Sequence, residues 1–574
     1  MAQKRSCRAA LAFVCAVSAA CTGEVSPPLG PGTGMAGSLS NGGAPGAGVG
    51  GGTAVSGGTA ASGAPSMPAG ATGFPSAGAP SNGGSSGAPT VFSRVGLAAR
   101  LSKFEYRNSV ADLLGVALLP EELDAAVGGI PDDTGDGVFK HLADKQTSVE
   151  QHALAYFQIA EAAVERADVP ALAARLGTCV EATAACGTAL IQALGKRMFR
   201  RPLEQREVDA MLVVYDAALA EQSDFTEAAR WTLLALLQTP EFLFRLESET
   251  TGMPGQPRDL NGYELAGRLS SFLWMSVPDD ALLAAAADQS LVRPEILQAQ
   301  VKRMLADPKA QRFTEAFAAD FSRARFASYE GATDADRRAL NESVVATFQD
   351  HFWTQQRSVA DLFVTTRFLV NPTVAGLLGL PATGTGLQAV DVAALPQRVG
   401  LMAHPGVIAG MGDRGTGSFV NRGKYLMERL LCRNPIAVPA EIVTEIEAFN
   451  ADTTGLNEHE RVAIRMMRPT CWGCHAQFEP LAFGFSRFDG AGRYVGEMDT
   501  AGKPLPLDGW IPTGGDVEPE YSDVASYMRL LATDPVVQTC LTEHFIAFAT
   551  ARSSDELARL EAGRVGERYL ANGS

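Results

Sequence analysis

The sequence predicts a mainly helical, multi-module protein with few short strands, preceded by a disordered linker rich in Gly, Ser, Ala and Pro. Two observations support this. Beyond residue 91, apolar residues recur at helical spacing, and few runs show the period-two alternation that is typical of strands. From 22 to 90 the chain consists almost entirely of small residues and proline, which cannot bury enough apolar surface to offset chain entropy. We expect this segment to be a flexible tether.

Residues 1–21 are predicted to be a signal peptide. Basic residues precede an apolar run from Ala9 to Ala20, which suits a signal sequence but is too short to span a bilayer. Cys21 follows small residues, as in the lipidation site of bacterial lipoproteins, although Ser18 stands where leucine is usual. We therefore expect export to the periplasm, the outer membrane or the cell surface. Cys21 is the expected lipid anchor, and ordinary signal cleavage is the alternative.

Helix signals follow one another along the body. The first helix is introduced by a capping box, because Ser102 is followed three positions later by Glu105. Further helices are predicted at 188–219 (with Pro202 starting a second helix), 225–246, 260–275, 294–306, 336–355, 421–432 and 457–467. Short strands are expected at 368–370 and 494–497. The predicted modules span 91–186, 187–255, 256–390, 391–498 and 499–574.

The most informative motif is Cys471-Trp472-Gly473-Cys474-His475. Two thiols three positions apart, followed by histidine, match the attachment site of a c-type haem. On one helical turn both sulfurs reach the porphyrin vinyl groups, and the adjacent imidazole ligates the iron. We predict covalent haem c on Cys471 and Cys474, with His475 as the proximal iron ligand. The same spacing also occurs in disulfides and in half of a zinc site, so both remain alternatives.

A low-spin haem needs a sixth ligand, for which histidine and methionine are the usual residues. His404, in a Gly-rich loop, and Met528, in an apolar helix, are the two candidates, and Met402, Met411 and Met498 are further sulfurs. If none of them binds, the iron is five-coordinate and open to peroxide or oxygen. Arg493 is predicted either to contact a haem propionate or to pair with Asp489.

The cysteine count is consistent with an oxidising compartment. Two cysteines lie within the signal peptide, and Cys21 is assigned to the lipid. Cys179 and Cys186 are close in sequence and form the first expected disulfide, and Cys432 with Cys540 follows by elimination if haem takes the remaining two cysteines. A third disulfide between Cys471 and Cys474 would also leave no cysteine unpaired. The cysteine count alone therefore does not distinguish haem attachment from a disulfide.

Composition excludes several classes of function. A net charge of −16 argues against a nucleic-acid partner, since phosphate neutralisation needs a basic face. The sequence contains no P-loop, nucleophile elbow or paired-histidine metalloprotease motif. We expect a redox partner or a surface polymer as the binding partner, and membrane contact only through the N-terminal lipid.

Several short segments match a known family in order: 101–108 with 112–115, 199–203, 239–243, 269–274, 421–424 with 430–432, the motif at 471–475, and 488–494. Together they resemble multi-module exported proteins of planctomycetes and myxobacteria, built from consecutive domains of unknown function with a cytochrome-c-like CxxCH module. The resemblance implies export and a haem module but no substrate. After the histidine this chain reads Glu479-Pro480-Leu481-Ala482-Phe483-Gly484-Phe485-Ser486, where relatives usually end in glutamate.

The sequence thus predicts an exported, tethered, helical haem c protein that works in electron transfer or an unidentified redox reaction. One haem is little for a body of this length, so the other modules are expected to bind a substrate or partner, as in an oxidoreductase. The alternative is a haem-free surface protein, stabilised by disulfides, that binds a polymer or another protein.

Overall fold

Helices make up most of the folded chain. The computed structural model describes residues 92–93, 98–119, 122–123, 129–131, 138–247, 258–381, 384–412, 418–434, 438–499, 502–505, 507–514, 518–553, 563 and 565. These ranges contain twenty-two α-helices and eight strands of two to four residues, paired two by two and antiparallel, so the predicted fold class is confirmed. No helix among them is long and apolar enough to cross a bilayer. The predicted signal peptide, Cys21 and the predicted linker lie outside the described residues.

The first helices enclose a core of their own. The capping box is present as predicted, with the Ser102 hydroxyl accepting from the Glu105 amide and the Glu105 carboxylate accepting from the Ser102 amide. Tyr106, Leu190 and Phe242 are fully buried in this core. The helices are α1 (Lys103–Leu114), α2 (Glu150–Arg166), α3 (Val169–Leu176), α4 (Ala184–Met198), α5 (Gln205–Gln222), α6 (Phe225–Leu236) and α7 (Pro240–Leu243).

The middle of the chain adds a second group of helices and the longest hairpin. The helices are α8 (Gly262–Trp274), α9 (Asp280–Ala287), α10 (Pro294–Ala306), α11 (Gln311–Ser322), α12 (Asp334–Gln349), α13 (Val359–Leu362) and α14 (Pro372–Leu377). Trp274 is buried among them, and its indole nitrogen donates to the Met304 carbonyl at 3.0 Å. The strands are β1 (Phe92–Ser93), β2 (Ala99–Arg100), β3 (Phe244–Arg245), β4 (Arg258–Asp259), β5 (Arg367–Val370), β6 (Gln388–Asp391), β7 (Gly509–Trp510) and β8 (Glu520–Tyr521).

The last helices carry the CxxCH motif and close the largest core. They are α15 (Pro405–Met411), α16 (Phe419–Leu430), α17 (Val443–Asp452), α18 (Glu458–Met466), α19 (Pro469–His475), α20 (Glu479–Ala482), α21 (Val524–Thr533) and α22 (Pro535–Thr550). Leu426, Leu481, Met528 and Phe548 from four of these helices lie in one apolar cluster. Helix α16 packs against α20 and α22, which fixes the segment after His475 on the body of the protein.

Three predictions of local structure need correction. Pro202 does not start a helix: Arg200 adopts a φ of 59°, and α5 begins only at Gln205. Residues 494–497 form no strand, because Tyr494 makes only an isolated bridge to Phe488 across the turn at Gly492. The predicted helix 336–355 ends as α-helix at Gln349 and continues as a π-helical turn over Asp350–Thr354.

Both expected disulfides are present. Cys179 bonds Cys186 across seven positions, at the start of α4. Cys432 bonds Cys540 across 108 positions and joins the end of α16 to α22. The predicted pairing is confirmed, and it leaves Cys471 and Cys474 as free thiols.

Candidate functional site

The CxxCH motif lies on its own short helix. Helix α19 starts at Pro469, whose fixed φ suits the first helical position and whose missing N–H needs no partner there. Cys471, Cys474 and His475 are all half-buried on this one helix. The motif thus lies on a helix that begins two residues before Cys471. Burial raises the pKa of the Cys471 thiol, and the nearby Glu445 carboxylate acts in the same direction.

Both thiols and the imidazole line one pocket. The space inside it, including solvent at its open mouth, is about 670 Å³. Its walls are mostly apolar side chains from α16, α17 and the segment before α17. The remaining lining residues are Lys424, Met427, Val438, Pro439, Ile442, Glu445, Ile446, Thr470, Gln477 and Phe478.

His475 contacts a buried ion pair between Glu479 and Arg465. Its Nδ1 lies 3.1 Å from Oε1 of Glu479, one helical turn further along the chain. The same oxygen lies 2.7 Å from a guanidinium nitrogen of Arg465. The Glu479 side chain is fully buried and that of Arg465 is 5% exposed, so neither charge is solvated by bulk water. Each therefore depends on the other for its stability in the protein interior.

Local structure explains why Arg465 and Glu479 meet. Asn457 and Glu460 form a reciprocal capping box that starts α18, and Arg465 lies in the last turn of that helix. The Arg465 guanidinium also lies 5.5 Å from the ring centroid of Phe449 on α17, which holds it between the two helices. On the other side, Gly423 of α16 approaches the Phe478 carbonyl so closely that a Cβ atom would collide with it.

His404 lies elsewhere in the fold and does not line the pocket. It is fully buried, and both ring nitrogens are engaged: Nδ1 accepts from the Gly406 amide at 3.0 Å, and Nε2 lies 3.0 Å from the Ser343 hydroxyl. Its role in the structure is that of N-cap for α15. Burial and the nearby Arg398 lower its pKa to about 3, which keeps the ring neutral.

The methionines named from the sequence do not line the pocket either. Met528, Met402 and Met411 are at most 2% exposed and belong to the largest apolar core, whereas Met498 is 53% exposed. The methionine on the pocket wall is Met427 of α16, which is 3% exposed. Sequence reasoning missed it because α16 and α19 are far apart in the chain and no local pattern relates them.

Arg493 forms the ion pair that the sequence suggested. Its guanidinium lies 3.2 Å from the Asp489 carboxylate, which also accepts from the amides of Ala491 and Arg493. These contacts close the turn after α20. The basic residue that lines the pocket is instead Lys424, half-buried on α16, whose ammonium lies 5.9 Å from the ring centroid of Phe478.

The geometry can be compared with the two alternatives for the motif, a disulfide and half of a zinc site. The two sulfurs are free, so the third disulfide is not formed in this structure. A zinc site needs converging ligands. Among the described residues, Cys432, Cys540 and His544 are the group whose possible ligand atoms lie within 4.8 Å of one another. The two sulfurs of this group form the disulfide. Cys471, Cys474 and His475 do not converge in this way.

Arg200 and Arg201 have structural roles. Arg200 is buried and donates to the carbonyls of Met198 and Glu241, and Arg201 forms a bidentate pair with Glu207. Trp472 is half-buried on α19, in edge contact with Trp510 at 6.4 Å between ring centroids.

Comparison with known families places the pocket in the last of four matched domains. The matches, each described as a protein of unknown function, are PSD3 (DUF1587) over 99–169, PSD5 (DUF1595) over 186–247, PSD4 (DUF1592) over 260–380 and PSCyt3 (DUF1588) over 398–497. No curated protein and no solved structure matches the chain. The chain is therefore a multi-module protein whose folded body carries four consecutive domains of unknown function.

Proposed function

We propose that this protein is an exported c-type haem protein that works in electron transfer or a redox reaction at the cell surface or in the periplasm. The observation that carries the proposal is that two free thiols and one imidazole, spaced as in a haem attachment site, line a single largely apolar pocket. The name PSCyt3 of the family matched over 398–497 points to a cytochrome-like domain and supports the same interpretation.

The donor set fits a covalently held haem. Cys471 and Cys474 would hold the porphyrin by thioether bonds, and His475 would ligate the iron. Bound there, the haem supplies one-electron chemistry. The protein's part is to orient the porphyrin, to exclude water with apolar walls such as Ile442 and Ile446, and to tune the iron through its ligands.

Two further pocket residues have chemistry that suits the cofactor. Met427 supplies a buried thioether on the pocket wall and is the methionine that would serve as a second protein ligand of the iron. Lys424 supplies a cation at the same pocket, where a propionate carboxylate is the group it would attract. Both assignments replace the sequence candidates Met528, His404 and Arg493.

The thiols are poorly suited to a thiol–disulfide exchange role. Redox-active CxxC thiols have depressed pKa values, which make one sulfur a thiolate at neutral pH. Burial instead raises the pKa of Cys471, so the nucleophilic form is suppressed.

A visible spectrum and a mass measurement test the proposal. The full chain is expressed with and without haem-maturation machinery, exported and purified. We expect a Soret band that survives acid–acetone extraction, together with the added mass of one haem. Cys471→Ala with Cys474→Ala should abolish covalent attachment, and His475→Ala should shift or abolish the band because the iron loses its proximal ligand.

Cys179→Ala with Cys186→Ala is the matched control, since it also removes two cysteines but lies outside the pocket. That variant should keep both the band and the added mass. A colourless wild-type protein without added mass, with Cys471 bonded to Cys474, would overturn the proposal and leave the haem-free, disulfide-stabilised binding protein as the function to test.

A further inference from the structure

Glu479 is the most deeply buried ionisable group next to the candidate haem ligand. Its side chain is fully buried, while His475 beside it is one-quarter exposed and faces the pocket. One carboxylate oxygen serves both His475 and Arg465, at 3.1 and 2.7 Å. The other oxygen has no hydrogen-bond partner among the described residues. Glu479 therefore contacts the candidate iron ligand directly from the protein interior.

The contact fixes the protonation of the imidazole. Glu479 forms a salt bridge with the Arg465 guanidinium, with 2.7 Å between oxygen and nitrogen, in a site without bulk water. A charged carboxylate only accepts hydrogen bonds, so Nδ1 of His475 must carry the proton that joins them. Nε2 is then the nitrogen with the lone pair, which is the form a metal-binding histidine needs.

The buried anion also acts on the electronic character of the ligand. A carboxylate that accepts from the imidazole N–H draws the proton toward itself and makes the ring more electron-rich. Such a ring stabilises the more positive ferric iron relative to the ferrous iron, and hydrogen bonding to an axial ligand is one of the main ways a protein tunes a haem. Arg465 moderates the effect by sharing the same oxygen.

We infer that Glu479 is the positioning residue of the proximal ligand: it holds the Nδ1–H tautomer of His475, leaves Nε2 for the iron and biases the haem toward the ferric state. The inference rests on the proposed haem function and deepens it, because it assigns the site a lowered reduction potential. A haem held in this way would be a stronger reductant than one whose histidine lacks the carboxylate contact.

The test combines two readouts. In the haem-loaded full chain, spectroelectrochemistry compares wild type, Glu479→Gln and Glu445→Gln. Glu445 is the matched control, because it is a carboxylate on the wall of the same pocket and has no hydrogen bond to His475 in this structure. We expect Glu479→Gln to raise the midpoint potential, moving the ferric–ferrous ratio toward ferrous haem by on the order of tenfold, and Glu445→Gln to change it much less.

The second readout does not need haem. Long-range ¹H–¹⁵N spectra of the full chain labelled at histidine, purified without haem, should show His475 protonated at Nδ1 in the wild type. An Nε2-protonated His475, or a potential shift in Glu479→Gln no larger than in Glu445→Gln, would overturn the inference. If the chain takes up no haem at all, the proposed function fails. The tautomer of His475 then still shows whether Glu479 holds the imidazole with its proton on Nδ1.

Discussion

Single residues decide whether the proposed haem would have a sixth ligand. Met427 and Met528 are both deeply buried methionines on helices, and sequence patterns cannot distinguish them. Both lie in the largest apolar cluster, and what distinguishes them is that Met427 also contributes to the pocket wall. Methionine is a common filler of core gaps, so its presence in a helix says little until its neighbours are known.

Met427→Leu should therefore change the haem spectrum. Leucine nearly conserves the volume, so the loss of stability should stay below about 1.5 kcal/mol, while the thioether ligand is lost. We expect the charge-transfer band of methionine-ligated ferric haem to disappear and high-spin iron to replace low-spin iron. Met528→Leu is the matched control and should leave the spectrum unchanged. The reverse pattern would return the sixth position to Met528.

At the scale of elements, most helices could be read from the sequence because their signals are local. Ser102 with Glu105 marks a helix start that the structure confirms. Predictions were wrong where the backbone conformation depends on contacts with residues far away in the chain. Arg200 takes a positive φ while its guanidinium binds the carbonyls of α7, and no pattern around Pro202 announces that contact.

The site itself was only partly predictable for the same reason. The spacing of Cys471, Cys474 and His475 was sufficient to identify a candidate site. Met427 and Arg465 join it through packing of α16 and α18, so only tertiary structure brings them to the motif. Glu479 lies in the segment after the histidine that the sequence comparison quoted, but its contact with His475 needed the fold.

Helix α15 gives an element-scale prediction about pH. Its N-cap, His404, has a pKa near 3 in the folded protein, against 6.5 for an ordinary histidine, because burial disfavours the charged ring. The unfolded chain thus binds the proton first as pH falls. The free energy of unfolding contributed by His404 is present above about pH 6.5 and is lost progressively toward pH 3.

His404→Asn should flatten this acid dependence. Asparagine is a good N-cap and does not titrate, so it should keep α15 capped while removing the proton uptake. Urea unfolding at several pH values between 7 and 4 measures the effect. We expect a smaller loss of stability in the variant than in wild type, although His459 and His544, whose pKa values burial lowers to about 4, still contribute. Equal slopes would contradict this role of His404.

On the scale of the whole molecule, the apolar cores cross the predicted module borders. Phe139, Phe317, Leu426 and Phe548 come from four predicted modules and lie in one cluster. The Phe139 and Phe548 ring centroids are 5.2 Å apart, although the residues are separated by most of the folded chain. Sequence periodicity shows which residues are buried but not which cores they share. The modules therefore depend on one another, and their borders remain predictions.

The disulfide between Cys432 and Cys540 is the covalent counterpart of this long-range packing. A cross-link stabilises mainly by restricting the unfolded chain, and the restriction grows with the loop that it closes. From loop-closure entropy we expect about 5 kcal/mol for the 108-residue separation and about 2 kcal/mol for the seven-residue separation of Cys179 and Cys186. Cys432→Ala with Cys540→Ala should thus lower the urea midpoint more than Cys179→Ala with Cys186→Ala. Equal losses in the two double variants, each compared with wild type under oxidising conditions, would show that the long loop is already restricted by residual structure in the unfolded chain.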